Sequence, residues 1–179
     1  MTRYIALLRA INVGGHVVKM QALRRQFESM GLKNVETFIQ SGNVIFESAA
    51  KSSAALEQKI EQQLKKAFGF EVITFVRSVP ELTEVTRSKA FSDLRLESSW
   101  VLYVAFLREP LSAQVRARLK ALEGEVDAFH FGDREIFWVR QPQPGSPASA
   151  LPIEKIIGSP STVRNSSTVK RLVAKYCGV

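Results

Sequence analysis

The chain has 179 residues, 45% of them hydrophobic and 23% charged, so it can bury a core and wholesale disorder is excluded. Lys and Arg outnumber Asp and Glu by 25 to 17, and the excess lies at the two ends. Residues 1–30 and residues 150–179 each carry five basic residues against one acidic residue. If the ends meet in space, they form a basic surface suited to an anionic partner; otherwise they are two unrelated solvated faces.

The sequence also limits the compartment. Cys177 is the single cysteine, so no disulfide can form within the chain, and nothing points to an oxidising compartment. The apolar stretch Tyr4–Leu8 is interrupted by Arg9 and is too short for a signal peptide or a membrane span. We therefore expect a cytoplasmic protein with no membrane contact. The sequence does not determine its oligomeric state.

The first 77 residues predict alternating strands and helices. Residues 3–11 form an apolar run typical of a buried strand. Apolar residues then recur at helical spacing, at Met20, Leu23, Phe27 and Met30, and Gly31 ends this helix. Two short strands, residues 35–39 and 44–47, flank the turn residues 40–43 and form a hairpin. A helix capped by Ser52 or Ser53 and ended by Gly69 leads into a strand over residues 72–77. This order is that of a ferredoxin-like βαββαβ unit.

The next segment repeats the beginning of that order. A helix starts at the capping box of Ser78 and Glu81, and a strand follows over residues 100–107. Ser112 caps another helix, and a second hairpin joins residues 126–131 to residues 135–140. The corresponding helices and turns are offset by about the same number of residues, which suggests an architectural duplication. The second copy looks incomplete because no further strand pattern follows it.

Proline marks the end of the second copy. Five of the seven prolines fall between residues 142 and 160, which is typical of an extended connector. A closing amphipathic helix then begins after its cap Asn165, with Val169, Leu172, Val173 and Tyr176 on one face. The predicted α+β fold thus has a first ferredoxin-like half (1–90), a second, incomplete half (91–141), a Pro-rich connector (142–163) and a C-terminal helix (164–179). We expect that helix to dock on the first half.

Three separated motifs resemble the signature segments of a bacterial family, domain-of-unknown-function family 1697. They are Tyr4–Gly15 with Lys19-Met20, then Gln40–Val44, then Thr162–Asn165 with Thr168-Val169. The resemblance implies two ferredoxin-like halves and no known activity. The chain departs from the family at Ala10, where a glycine is usual, and at Ser166, where an aromatic residue is usual.

The candidate site lies where two connections meet. In the ferredoxin-like order the loop after the first strand and the turn after the second emerge at one sheet edge, about 10 Å apart. Glycines between a strand and a helix let backbone N–H groups converge on an anion; the alternative is that they only form a tight turn. The candidate ligand-binding residues there are Arg9, Asn12, Gly14, Gly15, Lys19, Gln40, Ser41, Gly42 and Asn43. Arg164 and Asn165, just before the closing helix, are expected to complete the site.

The sequence offers little catalytic chemistry. His16 and His130 have no acidic residue or cysteine at ligand spacing, so we expect no metal, and no motif indicates a cofactor. The strict phosphate-loop and dinucleotide motifs are both missing. Tyr4 and Phe46 do not form the aromatic pattern of an RNA-recognition sheet, although non-specific phosphate contact stays open.

Three functions remain. The leading hypothesis is a binding module for an anionic small molecule or nucleotide at the predicted site. The second is an enzyme acting on such a ligand, with Lys19 or Arg164 as electrostatic stabiliser, although no catalytic residue can be named. The third is a protein that binds nucleic acid without sequence specificity.

Overall fold

The computed structural model describes residues 1–12, 15–39, 42–142 and 152–178. The chain divides into two compact units, Met1–Leu82 and Thr83–Val179. This boundary lies eight residues before the one we predicted, within a helix that follows the last strand of the first unit. Each unit has its own four-stranded antiparallel sheet, which confirms the α+β class.

The first unit follows the predicted βαββαβ order and continues into a further helix. Its elements are β1 (Thr2–Leu8), α1 (Met20–Ser29), β2 (Lys33–Phe38), β3 (Asn43–Ser48), α2 (Ser53–Phe68), β4 (Thr74–Ser78) and α3 (Val79–Arg87). The sheet order is β2-β3-β1-β4, the ferredoxin-like arrangement, with β1 paired to β3 and β4. β1 ends three residues earlier than predicted because the backbone turns through a left-handed conformation at Ala10.

The core of the first unit lies between the sheet and the two helices α1 and α2. Leu23 and Phe27 of α1 are fully buried, as are Ile60 and Leu64 of α2. They pack on alternate residues of the central strands, including Tyr4, Ala6, Val44 and Phe46. The period-2 alternation of the strands and the 3.6-residue period of the helices therefore meet in one apolar layer.

The second unit has the same complete order of strands and helices as the first, which corrects the prediction of an incomplete half. Its elements are β5 (Val101–Phe106), α4 (Ala113–Lys120), β6 (Asp127–Phe131), β7 (Glu135–Arg140), α5 (Ile153–Ile157), β8 (Thr162–Asn165) and α6 (Ser166–Tyr176). The sheet order β6-β7-β5-β8 matches that of the first unit. Two short 3₁₀ turns, Lys89–Ser92 and Leu94–Glu97, precede β5.

Strand β8 was not predicted from the sequence, and there is a physical reason for this. Its two inward residues are the polar Thr162 and Arg164, whereas Val163 points outward and is 40% exposed. This is the reverse of the apolar-in alternation that indicates a strand. The helix before it, α5, has only five residues and is too short to show a helical period. Residues 143–151 of the predicted connector lie outside the described residues.

The closing helix α6 packs on β5 and β8, its own sheet. That it also docks on the first half stays a prediction. Asn165 is both the last residue of β8 and the cap of α6, since its Oδ1 accepts a hydrogen bond from the Ser167 N–H at 2.9 Å. No linker separates strand from helix, so the position of β8 fixes the position of α6.

Within the described residues, no helix combines the length and the apolar composition that crossing a membrane requires.

Candidate functional site

The loop after β1 and the turn before β3 meet at one edge of the first sheet, as the topology predicted. The Leu8 N–H donates to the Gly42 carbonyl at 2.8 Å. Gly42 has a φ of +73°, and a Cβ there would overlap the Ile11 Cγ2 atom, so only glycine fits. We call residues 9–19 and 39–43 the first-unit rim. Residues 13, 14, 40 and 41, which include Gly14, Gln40 and Ser41 of the predicted site, lie outside the described residues.

Backbone strain concentrates at the rim. Three of the non-glycine residues with a left-handed φ among the described residues belong to it: Ala10 (55°), Asn12 (60°) and Ile39 (60°). Ile39 is β-branched and 42% exposed, so neither its conformation nor its exposure is favourable by itself. Strained residues of this kind persist only where the surrounding structure holds them, and they cluster at binding sites.

Asn12 organises the loop after β1. Its Oδ1 accepts a hydrogen bond from the Val18 N–H at 2.6 Å, which closes the loop over the intervening residues. Val18 is buried in the core of the unit. The Asn12 carboxamide therefore ties the glycine-containing loop to the body, and this role accounts for an asparagine at that position without a ligand.

Asn43 does not present its side chain to solvent. It is fully buried, and its Nδ2 donates to the Phe38 carbonyl at 3.0 Å. We had expected a ligand donor at this position. Asn43 instead pairs with Phe38 at the turn end of the β2–β3 ladder, and its side chain adds a hydrogen bond to the Phe38 carbonyl.

The remaining described rim residues leave one exposed cation at the mouth of α1. Lys19 is exposed, has extended backbone and immediately precedes the helix, whose first turn contains no acidic residue. Gly15 is exposed, and the neighbouring His16 ring stacks on Phe70 with centroids 4.2 Å apart. Arg9 is half-buried, and its backbone N–H donates to the Ile73 carbonyl at 2.8 Å.

Arg164 and Asn165 belong to β8 of the second unit. Arg164 is 8% exposed, and its Nη1 donates to Thr162 Oγ1 at 2.8 Å and to the Val163 carbonyl at 3.0 Å. Burial lowers the pKa of Arg164 to about 10. A cation beside a helix N-terminus needs a compensating acceptor, and these oxygens supply one. That Arg164 completes the first-unit rim stays a prediction.

The model of a family described as protein of unknown function (DUF1697) matches residues 1–137. The chain belongs to this family. The solved structure of "conserved bacterial protein SP0830 from Streptococcus pneumoniae" is 27% identical to the chain, with a TM-score of 0.75, and the match covers 100% of this chain and 99% of that one. No curated protein matches the chain. The DUF1697 resemblance inferred from the three motifs is confirmed.

The structure explains one departure of this chain from the DUF1697 pattern. The position where the family usually has glycine is Ala10, whose φ of 55° lies in the left-handed region. Glycine adopts that conformation without a Cβ clash, and alanine does not. A glycine at position 10 would therefore suit the turn that ends β1.

A polar cluster in the second unit escaped the sequence analysis. The Asp93 carboxylate is 8% exposed, accepts from Arg95 Nε at 2.9 Å and lies 2.8 Å from His130 Nε2. The Arg95 guanidinium holds the pKa of Asp93 well below its usual range, against the opposing effect of burial, and His130 adds to the lowering. Asp93 and His130 are 37 residues apart, so no local spacing reveals the contact. Across the described ranges, no group of three His, Cys, Asp or Glu side chains is arranged to hold a metal.

Proposed function

We propose that the first-unit rim binds an anionic small molecule or a nucleotide. The observation that carries this proposal is the contact of Leu8 with Gly42, which brings the loop after β1 and the hairpin turn to the same edge. Residues 9–19 and 38–43 contain Arg9, His16 and Lys19 but no Asp or Glu. An edge that carries cations and no carboxylate attracts negative charge.

Binding is favoured over catalysis. General acid–base or nucleophilic chemistry needs a titratable group oriented by a second side chain. Residues 9–19 and 38–43 contain no carboxylate or thiol, and the His16 ring is stacked on Phe70. Lys19 offers a point charge, which suits electrostatic binding of a phosphate.

The test uses Lys19→Ala with ATP and inorganic pyrophosphate as probes in isothermal titration calorimetry. Removing one charge-assisted hydrogen bond costs about 1.5–3 kcal/mol, so affinity should fall roughly ten- to a hundredfold while the melting temperature stays unchanged. The matched control is Lys66→Ala, which removes an exposed lysine from α2 and should bind as the parent does.

Two results contradict this proposal. Equal losses in Lys19→Ala and Lys66→Ala indicate general charge attraction, the behaviour expected of a non-specific nucleic-acid binder. Unchanged binding in Lys19→Ala removes the rim as the site.

We also propose that the two units arose by duplication. Pairing of Tyr4 with Ser78 and of Tyr103 with Asn165 aligns the two sheets, and this alignment sets residues 74–78 (TFVRS) over residues 161–165 (STVRN). Arg77 and Arg164 then coincide. Both are buried, and each donates from Nη1 to the carbonyl of the valine before it at 3.0 Å.

We further propose a cytoplasmic location. The chain has a single cysteine, Cys177, so it needs no oxidising compartment to form a disulfide within the chain.

A further inference from the structure

The second unit contains a cleft that the proposed function does not use. It lies between the β5–α4 connection and the α5–β8 connection and has a volume of about 390 Å³. Its apolar lining residues are Pro110, Leu111, Val115, Ile157 and Pro160, and Arg108 also lines it. Pockets that bind small organic molecules have volumes of this order and a mainly apolar lining with a few polar groups.

The polar residues that line the cleft determine which end of a ligand would face Arg108. Ser112 Oγ accepts the Val115 N–H at 3.3 Å, so this hydroxyl is committed to capping α4. Arg108 and Glu109 both line the cleft; Arg108 is half-buried, whereas Glu109 is exposed and therefore better screened by water. A partly desolvated guanidinium beside an apolar surface binds a carboxylate in preference to a neutral group.

The first unit shows why this space is open. α2 and α5 both end in a left-handed glycine, Gly69 with a φ of 79° and Gly158 with a φ of 73°. The residue after Gly69 is Phe70, whose ring stacks on His16 and closes the gap between the two connections. The residue after Gly158 is Ser159, which lines the cleft. A small side chain in the second unit thus replaces an aromatic plug in the first.

We propose that this cleft binds a small carboxylate whose apolar body is about the size of a phenyl ring or a short alkyl chain. The body lies between the two prolines and against Leu111, Val115 and Ile157, and the carboxylate faces Arg108. The site is independent of the first-unit rim, because every residue that lines it belongs to the second unit.

The experiment titrates 3-phenylpropionate, and separately its neutral analogue 3-phenylpropanol, into the full chain followed by NMR. We expect shift changes at residues 108–115 and 157–160, and an affinity about tenfold higher for the acid than for the alcohol. Ser159→Phe should fill the cleft and abolish these changes, and the control Ser99→Phe, at another exposed serine, should keep them. Arg108→Gln should bind acid and alcohol equally.

Three results overturn the proposal. The first is equal affinity of the parent protein for acid and alcohol. The second is binding by Ser159→Phe that matches the parent. The third is the absence of shift changes at residues 108–115 and 157–160 in the parent protein, a readout that does not depend on how any variant folds.

Discussion

Single residues of the first-unit rim have structural roles that differ from their predicted ligand roles. Asn12 closes the loop after β1, Gly42 admits Ile11, and Asn43 adds a side-chain hydrogen bond at the turn end of the hairpin. Lys19 is the described rim cation that remains exposed at the mouth of α1. In the described part of the rim, these contacts hold the backbone and leave few solvent-facing groups, as in a preorganised binding site.

Ala10→Gly should stabilise the protein. An alanine with a φ of 55° destabilises the folded state by roughly 1–2 kcal/mol, which glycine would relieve. Glycine also has more conformational freedom in the unfolded chain, and this offsets about 0.5–1 kcal/mol of the gain. The free energy of unfolding in urea should therefore rise by about 0.5–1 kcal/mol. The control Ala117→Gly, in the middle of α4, should lower it by about 1 kcal/mol. A loss of stability in Ala10→Gly would show that the strain is not released.

Asn43→Ala should destabilise the protein, because Asn43 is a buried residue of the hairpin. The substitution removes this donor from the partly buried Phe38 carbonyl, and the loss of one such hydrogen bond costs about 0.5–1.5 kcal/mol. Thermal unfolding of Asn43→Ala and of Gln58→Ala, an exposed residue of α2, measures the difference. If the two variants melt together, the hairpin does not depend on Asn43.

At the scale of elements, each unit ends with the same strand-to-helix junction. Ser78 ends β4 and forms a capping box with Glu81, whose N–H donates to Ser78 Oγ at 3.4 Å. Asn165 ends β8 and caps α6. In both strands the residue before the cap is a buried arginine, Arg77 or Arg164. The arginine fixes the end of the strand, and the cap starts the helix at once.

Arg77→Ala and Arg164→Ala should therefore have similar effects. Each change removes a charged donor from a backbone carbonyl, and hydrogen bonds from charged groups contribute about 1.5–3 kcal/mol. Arg118→Ala, at an exposed position of α4, should change stability by less than about 0.5 kcal/mol. Urea unfolding measures all three. Clearly different losses at Arg77 and Arg164 would argue against equivalent positions, and hence against the proposed duplication.

At the scale of the whole molecule, the distribution of charge depends both on the sequence and on long-range contacts. The basic excess belongs to the sequences at the two chain ends, but the ends lie in separate units, each with its own sheet. Inside the second unit, Asp93 joins the segment before β5 to β6 through His130. Long-range polar contacts of this kind make stability depend on pH.

Acid should weaken the protein through Asp93. Its pKa is lower in the folded chain than the value of about 3.9 expected when unfolded, so its contribution is complete above that value and is lost as pH falls below it. Asp93→Asn should be less stable than the parent at pH 7, and the difference should shrink below about pH 4. Urea unfolding from pH 7 to pH 3 measures it. A difference that stays constant with pH would exclude this role of Asp93.

The sequence alone determined the family, the first ferredoxin-like half and most helix boundaries. Apolar spacing predicted α1 and α2, Gly31 and Gly69 marked their ends, and Ser78 with Glu81 predicted the start of α3. These features are local, because helical period, cap chemistry and left-handed glycines act within a few residues. The meeting of two loops at the rim also followed, since it depends only on strand order.

Tertiary structure decided what the local pattern did not contain. β8 has polar residues inside and a valine outside, so its strand character comes from pairing with β5 rather than from its own sequence. The burial of Asn43, the contact of Asp93 with His130 and the cleft beside Ser159 likewise depend on residues distant in the chain. Sequence spacing reports on neighbours along the chain, whereas burial and hydrogen-bond partners are set by elements that pack together only after folding.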